Sequence, residues 1–223
     1  MKRLVVVAAA AAGLACTSLS TVQTASPVGA GKTRIAIAPQ VTTFTPPTGG
    51  PFGGGPNAST AVVVPNLELA ARFGLSDDAD VGVKAGPAGA SLDLKYALAN
   101  NPGFVVSIAP GGGVLYVNNG GNPSSSLTTL NLFLPLLFGV RSGTTEVVFG
   151  PKLLFTHVEP SPGTGDHAFL LGGVFGVAFR AGNLLVMPEV NLATIVETSC
   201  NGTCANNTGG LGMQAGIGFY FDR

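Results

Sequence analysis

The sequence predicts an all-β fold, a single antiparallel up-and-down transmembrane β-barrel of about ten strands. Hydrophobic residues make up 46% of the 223 residues and charged residues only 10%, whereas soluble domains have roughly 25% charged residues. Beyond residue 16, no apolar run approaches the roughly 20 residues that a membrane-spanning helix needs. Because lipid tolerates no unpaired backbone, a hydrophobic chain without such a helix is left with the closed barrel. The 33 glycines and 16 prolines are also typical of turns rather than helices.

Segments of alternating polarity, separated by Gly, Asn, Asp and Pro, predict the individual strands. We expect them near residues 32–44, 62–74, 79–86, 90–99, 103–117, 127–141, 145–158, 167–180, 184–197 and 209–222. Several are long enough to cross a bilayer at a tilt, which takes roughly 9–11 residues. Short connections alternate with longer ones, as in outer-membrane barrels with short periplasmic turns and long external loops. An even strand number predicts that both termini lie on the periplasmic side.

Charged residues within a strand are spaced by even numbers, which puts them on one face of that strand. The spacing holds for Glu68 and Arg72, Asp93 and Lys95, Glu146 and Lys152, and Glu189 and Glu197. We therefore predict a set of lumen charges: Glu68, Arg72, Lys84, Asp93, Lys95, Arg141, Glu146, Lys152 and Glu189. These charges pair into a stabilising plug or line a small pore.

The face opposite the charges is apolar, and we expect it to meet lipid. In the fourth strand it reads Leu92, Leu94, Tyr96 and Leu98. The charged face is otherwise rich in Gly and Ala, which makes a poor soluble surface but a suitable tight lumen. Aromatic residues at the strand ends are typical of the two interfacial girdles of a membrane barrel: Phe73, Phe104, Phe138, Phe179 and Phe221 at one end, and Tyr116, Phe155 and Phe169 nearer the other.

The first fifteen residues have the composition of a signal peptide. Lys2 and Arg3 precede a short apolar run that ends in small residues. We predict a signal peptide over 1–15, a Ser/Thr/Ala-rich periplasmic tether over 16–31 and the barrel over 32–223. The segment that ends at Cys16 resembles a bacterial lipobox, which implies lipidation of Cys16; ordinary signal-peptidase cleavage near Ala15 is the alternative. Cys200 and Cys204 form a close pair, which predicts a disulfide in an oxidising compartment.

From Lys32 to Phe221 the pattern resembles small bacterial outer-membrane barrel proteins. The last residues, Gly216 to Phe221, resemble the aromatic terminal strand that the barrel-assembly machinery recognises. The resemblance implies outer-membrane lipids and that machinery as partners. The net charge of zero gives no basic patch for nucleic acid, and we expect neither a cofactor nor a metal.

Three functions are compatible with these features. The first is a non-enzymatic outer-membrane barrel, serving as a structural element, a receptor-like surface or a narrow channel. The second is a soluble, lipid-tethered periplasmic barrel that binds a lipophilic ligand. The third is an outer-membrane hydrolase or acyltransferase, whose candidate acid–base residues would be His157, Glu159, Ser161, Asp166 and His167.

Overall fold

A computed structural model describes residues 18–45, 62–87, 89–118, 126–160, 165–199 and 210–223. The described residues form eleven strands: β1 (Thr33–Thr45), β2 (Val62–Gly74), β3 (Ala79–Gly86), β4 (Gly89–Asn101), β5 (Phe104–Ile108), β6 (Gly111–Asn118), β7 (Ser126–Ser142), β8 (Thr145–Pro160), β9 (Asp166–Ala181), β10 (Leu184–Ser199) and β11 (Leu211–Asp222). These bounds lie within a few residues of the predicted ones.

The strands close into an antiparallel barrel. Apart from β5 and β6, consecutive strands pair with each other, and β1 pairs with β11 from Arg34 opposite Asp222 to Thr45 opposite Leu211. Strands β5 and β6 both lie between β4 and β7, and together they occupy the fifth of ten strand positions around the barrel. The fold prediction is therefore confirmed.

Proline residues interrupt the ladder locally without ending the strands. Pro110 lies in the break between β5 and β6, where its carbonyl still accepts a hydrogen bond of 3.0 Å from the Leu94 amide. The pairing of β1 with β11 skips from Ile37 to Gln40 around Pro39, and that of β10 with β9 skips from Val186 to Glu189 around Pro188. A proline lacks the amide proton that a ladder needs, so each gap has a direct chemical cause.

The two faces of the barrel wall differ as the alternation predicts. In β1, Ile35, Ile37 and Val41 are exposed on the outside, whereas Ala36, Ala38 and Gln40 are buried. The exposed set continues around the wall with leucines, valines and phenylalanines, among them Leu69, which is 54% exposed. An apolar face this extensive around a polar interior indicates a barrel whose outer surface meets lipid.

The two ends of the barrel differ in their connections. Short turns at residues 75–78, 102–103, 143–144 and 182–183 join strands at one end, which we name the turn end. Gly143 and Gly182 have positive φ angles of 57° and 61° there, a conformation that favours glycine. The opposite end is named the loop end. Strand β1 begins and β11 ends at the turn end, where the Thr33 and Arg223 backbones exchange hydrogen bonds of 2.9 and 2.8 Å.

The expectation of a periplasmic tether over 16–31 differs from the structure, because the described part of that stretch lies inside the barrel. Residues 18–28, which we name the luminal segment, run from the loop half of the lumen to the turn end and then turn into β1. Ser20, Thr21, Val22, Gln23, Thr24 and Ala25 are each at most 4% exposed. The inner wall is rich in alanine and glycine, and the segment fills the space that those small residues leave. Residues 1–17, with the predicted signal peptide, lie outside the described residues.

Candidate functional site in the lumen

One group of lumen charges is paired within the wall itself. Arg72 of β2 contacts Asp80 of β3 at 2.5 Å and Asp93 of β4 at 2.7 Å, and Lys95 of β4 contacts Asp80 at 3.2 Å. All four side chains are almost fully buried, with Asp80 and Lys95 at 0% exposure. Three adjacent strands present these groups at inward positions, so opposite charges meet without leaving the wall. Buried ions of this kind require partners, and we name this set the paired cluster.

Gly82 makes room for the paired cluster. It lies between Arg72 and Asp93 in the register of β2, β3 and β4. A Cβ atom at residue 82 would lie 2.8 Å from Cζ of Arg72, closer than real Cβ atoms approach. The missing side chain therefore allows the guanidinium group to lie across β3 and reach Asp93 on β4.

A second group of wall charges binds the luminal segment. The Thr21 amide donates to Glu189 at 2.9 Å, and the hydroxyls of Ser20 and Thr21 donate to the same carboxylate at 3.1 and 2.6 Å. Lys84 donates to the Ser20 carbonyl at 2.9 Å, and Lys152 donates to the Leu19 carbonyl at 2.5 Å. Hydrogen bonds with one ionised partner are the stronger kind, so these contacts fix the loop-half part of the segment.

The same pattern continues toward the turn end. Lys95 donates to the carbonyls of Thr24 and Ser26 at 3.1 and 3.0 Å, and Ser107 donates to the Ala25 carbonyl at 2.6 Å. The Ser26 amide donates to Glu146 at 3.0 Å. The Val28 amide donates to Asp80 at 2.9 Å. Asp80 and Lys95 thus belong to the paired cluster and also hold the segment.

The fit around the segment is close. Ala25 is fully buried, and a Cβ atom at Gly139 of β7 would lie 2.8 Å from the Ala25 Cβ. Cavities beside the segment measure about 40 Å³ near Ser20 and about 10 Å³ near Val22. Since one water needs roughly 10–15 Å³ by such a measure, neither cavity holds more than a few waters. The segment closes the lumen at these levels.

A polar mouth of about 520 Å³ lies below the segment at the turn end. Asp222 bridges two arginines there, with Arg34 Nε and Arg180 Nη1 each 2.6 Å from a carboxylate oxygen. Arg34 also donates to the Thr24 hydroxyl at 2.9 Å. This network joins the barrel seam between β1 and β11 to the luminal segment.

The structure places all nine predicted lumen charges on the inner face. Seven are buried: Glu68, Arg72, Lys84, Asp93, Lys95, Lys152 and Glu189. Arg141 and Glu146 are half-buried near the turn end, where both contact Ser26. Glu197 does not share the face of Glu189, because a β-bulge between Ile195 and Glu197 shifts the register. Glu197 is instead exposed opposite Phe169.

Sequence reasoning missed two buried charges and the luminal segment. Asp80 is separated from Lys84 by an even number of residues, and so is Arg34 from Gln40. The alternation of side chains along a strand could therefore have placed both charges on the inner face. The segment carried no such signal, since its Ser, Thr and Ala residues are equally typical of a linker.

Of the candidate acid–base residues that the structure describes, His157, Glu159 and His167 share the outer face of the wall, and Asp166 does not. His157 and His167 pair across β8 and β9, and Asp166 pairs with Val158. The His167 ring lies 5.8 and 6.3 Å from the rings of Phe155 and Phe169, on the outer face. Asp166, one residue away in an extended strand, points to the opposite face. Ser161 lies outside the described residues, as do Cys16, Cys200 and Cys204.

These features define a class of protein: a closed antiparallel barrel with an apolar outer face and a charged lumen occupied by its own chain. No helix long and apolar enough to cross a membrane is found among the described residues.

Solved structures with a similar fold have low sequence identity to this chain. Neisserial surface protein A (NspA) is 10% identical with a TM-score of 0.42, over 84% of this chain and 97% of that one. The outer membrane protease OmpT from Escherichia coli is 11% identical with a TM-score of 0.45, over 86% and 96%. OprG from Pseudomonas aeruginosa is 11% identical with a TM-score of 0.39, over 88% and 99%. No protein-family model matches the sequence, and no curated protein matches it.

Proposed function

We propose that this protein is a bacterial outer-membrane β-barrel without enzymatic activity, held closed by its own luminal segment. The observation that carries the proposal is the contrast between the two faces of the wall. Leu69 and its outward neighbours are exposed, whereas Asp80 and Lys95 are fully buried. A soluble barrel would bury its leucines and expose its charges, so this arrangement is stable only with lipid outside.

The closed lumen favours a structural or receptor-like role over steady conduction. The segment is held at both halves of the lumen, by Glu189 and Lys152 in one and by Glu146 and Asp80 in the other. An open pore would leave these ionised groups facing water rather than peptide backbone. Recognition of external partners then falls to the loop end.

The proposal includes a location and partners for the protein. By the usual arrangement of outer-membrane barrels, the turn end faces the periplasm and the loop end faces outward. This arrangement is compatible with export by the signal peptide and insertion by the barrel-assembly machinery. Membrane lipids then surround the apolar face. Lipidation of Cys16 and a Cys200–Cys204 disulfide remain separate predictions, on which this arrangement does not depend.

A matched pair of substitutions tests the membrane assignment. Leu69→Arg places a charge on the outer face within β2, whereas Leu75→Arg places it in a turn at the barrel end, where Leu75 is 61% exposed. In lipid, we expect Leu69→Arg to lower the free energy of unfolding by about 2–4 kcal/mol and Leu75→Arg to change it little. Urea titration in phospholipid vesicles measures both values, and equal small effects would contradict membrane insertion.

Electrical recording tests the closed state. Purified protein in planar bilayers should show little conductance, and a variant that lacks residues 18–28 should conduct, because the charged wall then hydrates. A shift on SDS gels after boiling checks that each variant is folded. A folded deletion variant that does not conduct would contradict the closure. An outer-membrane hydrolytic activity lost on replacing both His157 and His167 would contradict the non-enzymatic assignment.

A further inference from the structure

The wall recognises mainly the backbone of the luminal segment. Five carbonyl oxygens of the segment accept hydrogen bonds from the wall, those of Leu19, Ser20, Thr24, Ala25 and Ser26. Three amides donate to wall carboxylates, those of Thr21, Ser26 and Val28. Every polypeptide offers the same carbonyls and amides, so these contacts do not depend on the identity of the side chains.

Four of the charged wall groups that make these contacts are not also paired with an opposite charge of the wall. Within the described residues, Lys84, Lys152, Glu146 and Glu189 form no ion pair with another side chain. Lys84 and Lys152 lie instead 5.4 and 5.9 Å from the centre of the Phe133 ring, which helps to fix their ammonium groups. Donors and acceptors are thus positioned by the wall along one path through the lumen.

The side chains of the segment set a limit on size and charge. Ala25 lies at a point where Gly139 is required opposite it, and Val22 is packed in the same apolar cluster. Apart from the buried Gln23, the polar side chains of the segment are small. The hydroxyls of Ser20, Thr21 and Ser26 share the carboxylates that bind the backbone. A large or charged side chain at residue 25 would not fit.

We infer that the lumen is a binding site for a polypeptide stretch with uncharged and mostly small side chains, and that residues 19–28 are its built-in occupant. Once the segment is removed, a separate peptide of that kind binds along the same path. This inference rests on the proposed closed barrel and adds the chemical class of ligand that its lumen takes.

Peptide block of the conducting deletion variant tests this site. The probe is a synthetic peptide of residues 18–28, added to the barrel that lacks those residues. We expect it to block the current, and methylation of the amide nitrogens of Thr21, Ser26 and Val28 to weaken the block by roughly tenfold or more per lost hydrogen bond. A peptide with Ser20→Ala, Thr21→Val and Ser26→Ala keeps those amides and should lose less affinity than the methylated one.

Wall substitutions provide the matched control. Glu189→Gln in the deletion variant should weaken peptide block, whereas Glu197→Gln, on the outer face beyond the bulge, should leave it unchanged. If the deletion variant does not fold, full-length Ala25→Trp serves in its place, since the larger side chain forces the segment out of the lumen.

The possible outcomes separate the two proposals. A folded, conducting barrel that the peptide does not block overturns the peptide site and leaves the closed barrel intact. Block that is equally strong with the methylated peptide also overturns it. If the deletion variant or Ala25→Trp folds but does not conduct, the proposal that the segment closes the barrel is wrong. Peptide binding to that variant, measured by fluorescence anisotropy, then tests the peptide site separately.

Discussion

The two halves of the lumen neutralise their charges in different ways. Toward the turn end, Arg72, Asp80, Asp93 and Lys95 pair with one another on three adjacent strands. Toward the loop end, Lys84, Lys152 and Glu189 bind the backbone of the luminal segment. The first group has ion-pair partners in the wall, and its members Asp80 and Lys95 bind the segment as well. The second group forms no ion pair among the described residues and depends on the segment for its contacts. The comparison distinguishes charges that are paired within the wall from charges that need the occupant.

The largest expected effect comes from breaking the paired cluster. Asp80→Ala leaves Arg72 and Lys95 buried with one counter-charge fewer and also removes the acceptor of the Val28 amide. We expect the free energy of unfolding to fall by about 3–5 kcal/mol, the usual cost of an uncompensated buried charge. Urea titration in vesicles measures it.

Glu159→Ala, an exposed position at the loop end of β8, is the control for Asp80→Ala and should have little effect. Equal stability of Asp80→Ala and the wild type would show that the cluster does not stabilise the wall.

A substitution in the loop half of the lumen should reduce stability less than Asp80→Ala does, but it should open the lumen more. Glu189→Ala removes the acceptor of the Thr21 amide and of two hydroxyls, which should cost about 1.5–3 kcal/mol. The segment then loosens, and we expect flickering conductance in planar bilayers that Asp93→Asn does not produce to the same degree. Conductance that is higher in Asp93→Asn than in Glu189→Ala would show that the paired cluster, rather than the loop-half charges, keeps the lumen closed.

The smallest effect is expected at the half-buried rim. Ser26→Ala removes the hydroxyl that donates to Glu146 at 2.6 Å and accepts from Arg141 at 2.7 Å, but keeps the amide contact. We expect a loss of about 0.5–1.5 kcal/mol in urea titration and no increase in conductance. A loss as large as that of Asp80→Ala would show that the rim contributes as much to stability as the paired cluster does.

The sequence predicts the barrel wall well because strand alternation is a local property. Several inward charges follow from their spacing to a neighbour on the same strand, as with Glu68 and Arg72. The rule fails at Glu197, where one extra residue in a β-bulge shifts the side chain to the other face. The pattern over residues 62–74 also survives Pro65, since a single proline does not change the direction of the flanking side chains.

The luminal segment could not be predicted in this way, because its environment is created by distant residues. Thr21 binds a carboxylate 168 residues away, and Ser26 one 120 residues away. The segment itself is short, uncharged and without a strand-like alternation. Only the closed barrel shows that small inward residues such as Ala36, Ala38 and Gly139 leave space along its axis.

The long-range contacts of the segment also restrict when the lumen can be filled. Glu146 and Glu189 lie on β8 and β10, so the partners of residues 18–28 exist only after most of the chain has inserted. Contacts between residues so far apart form late, since the intervening chain must be ordered first. The segment therefore completes its contacts only once β8 and β10 are both part of the wall.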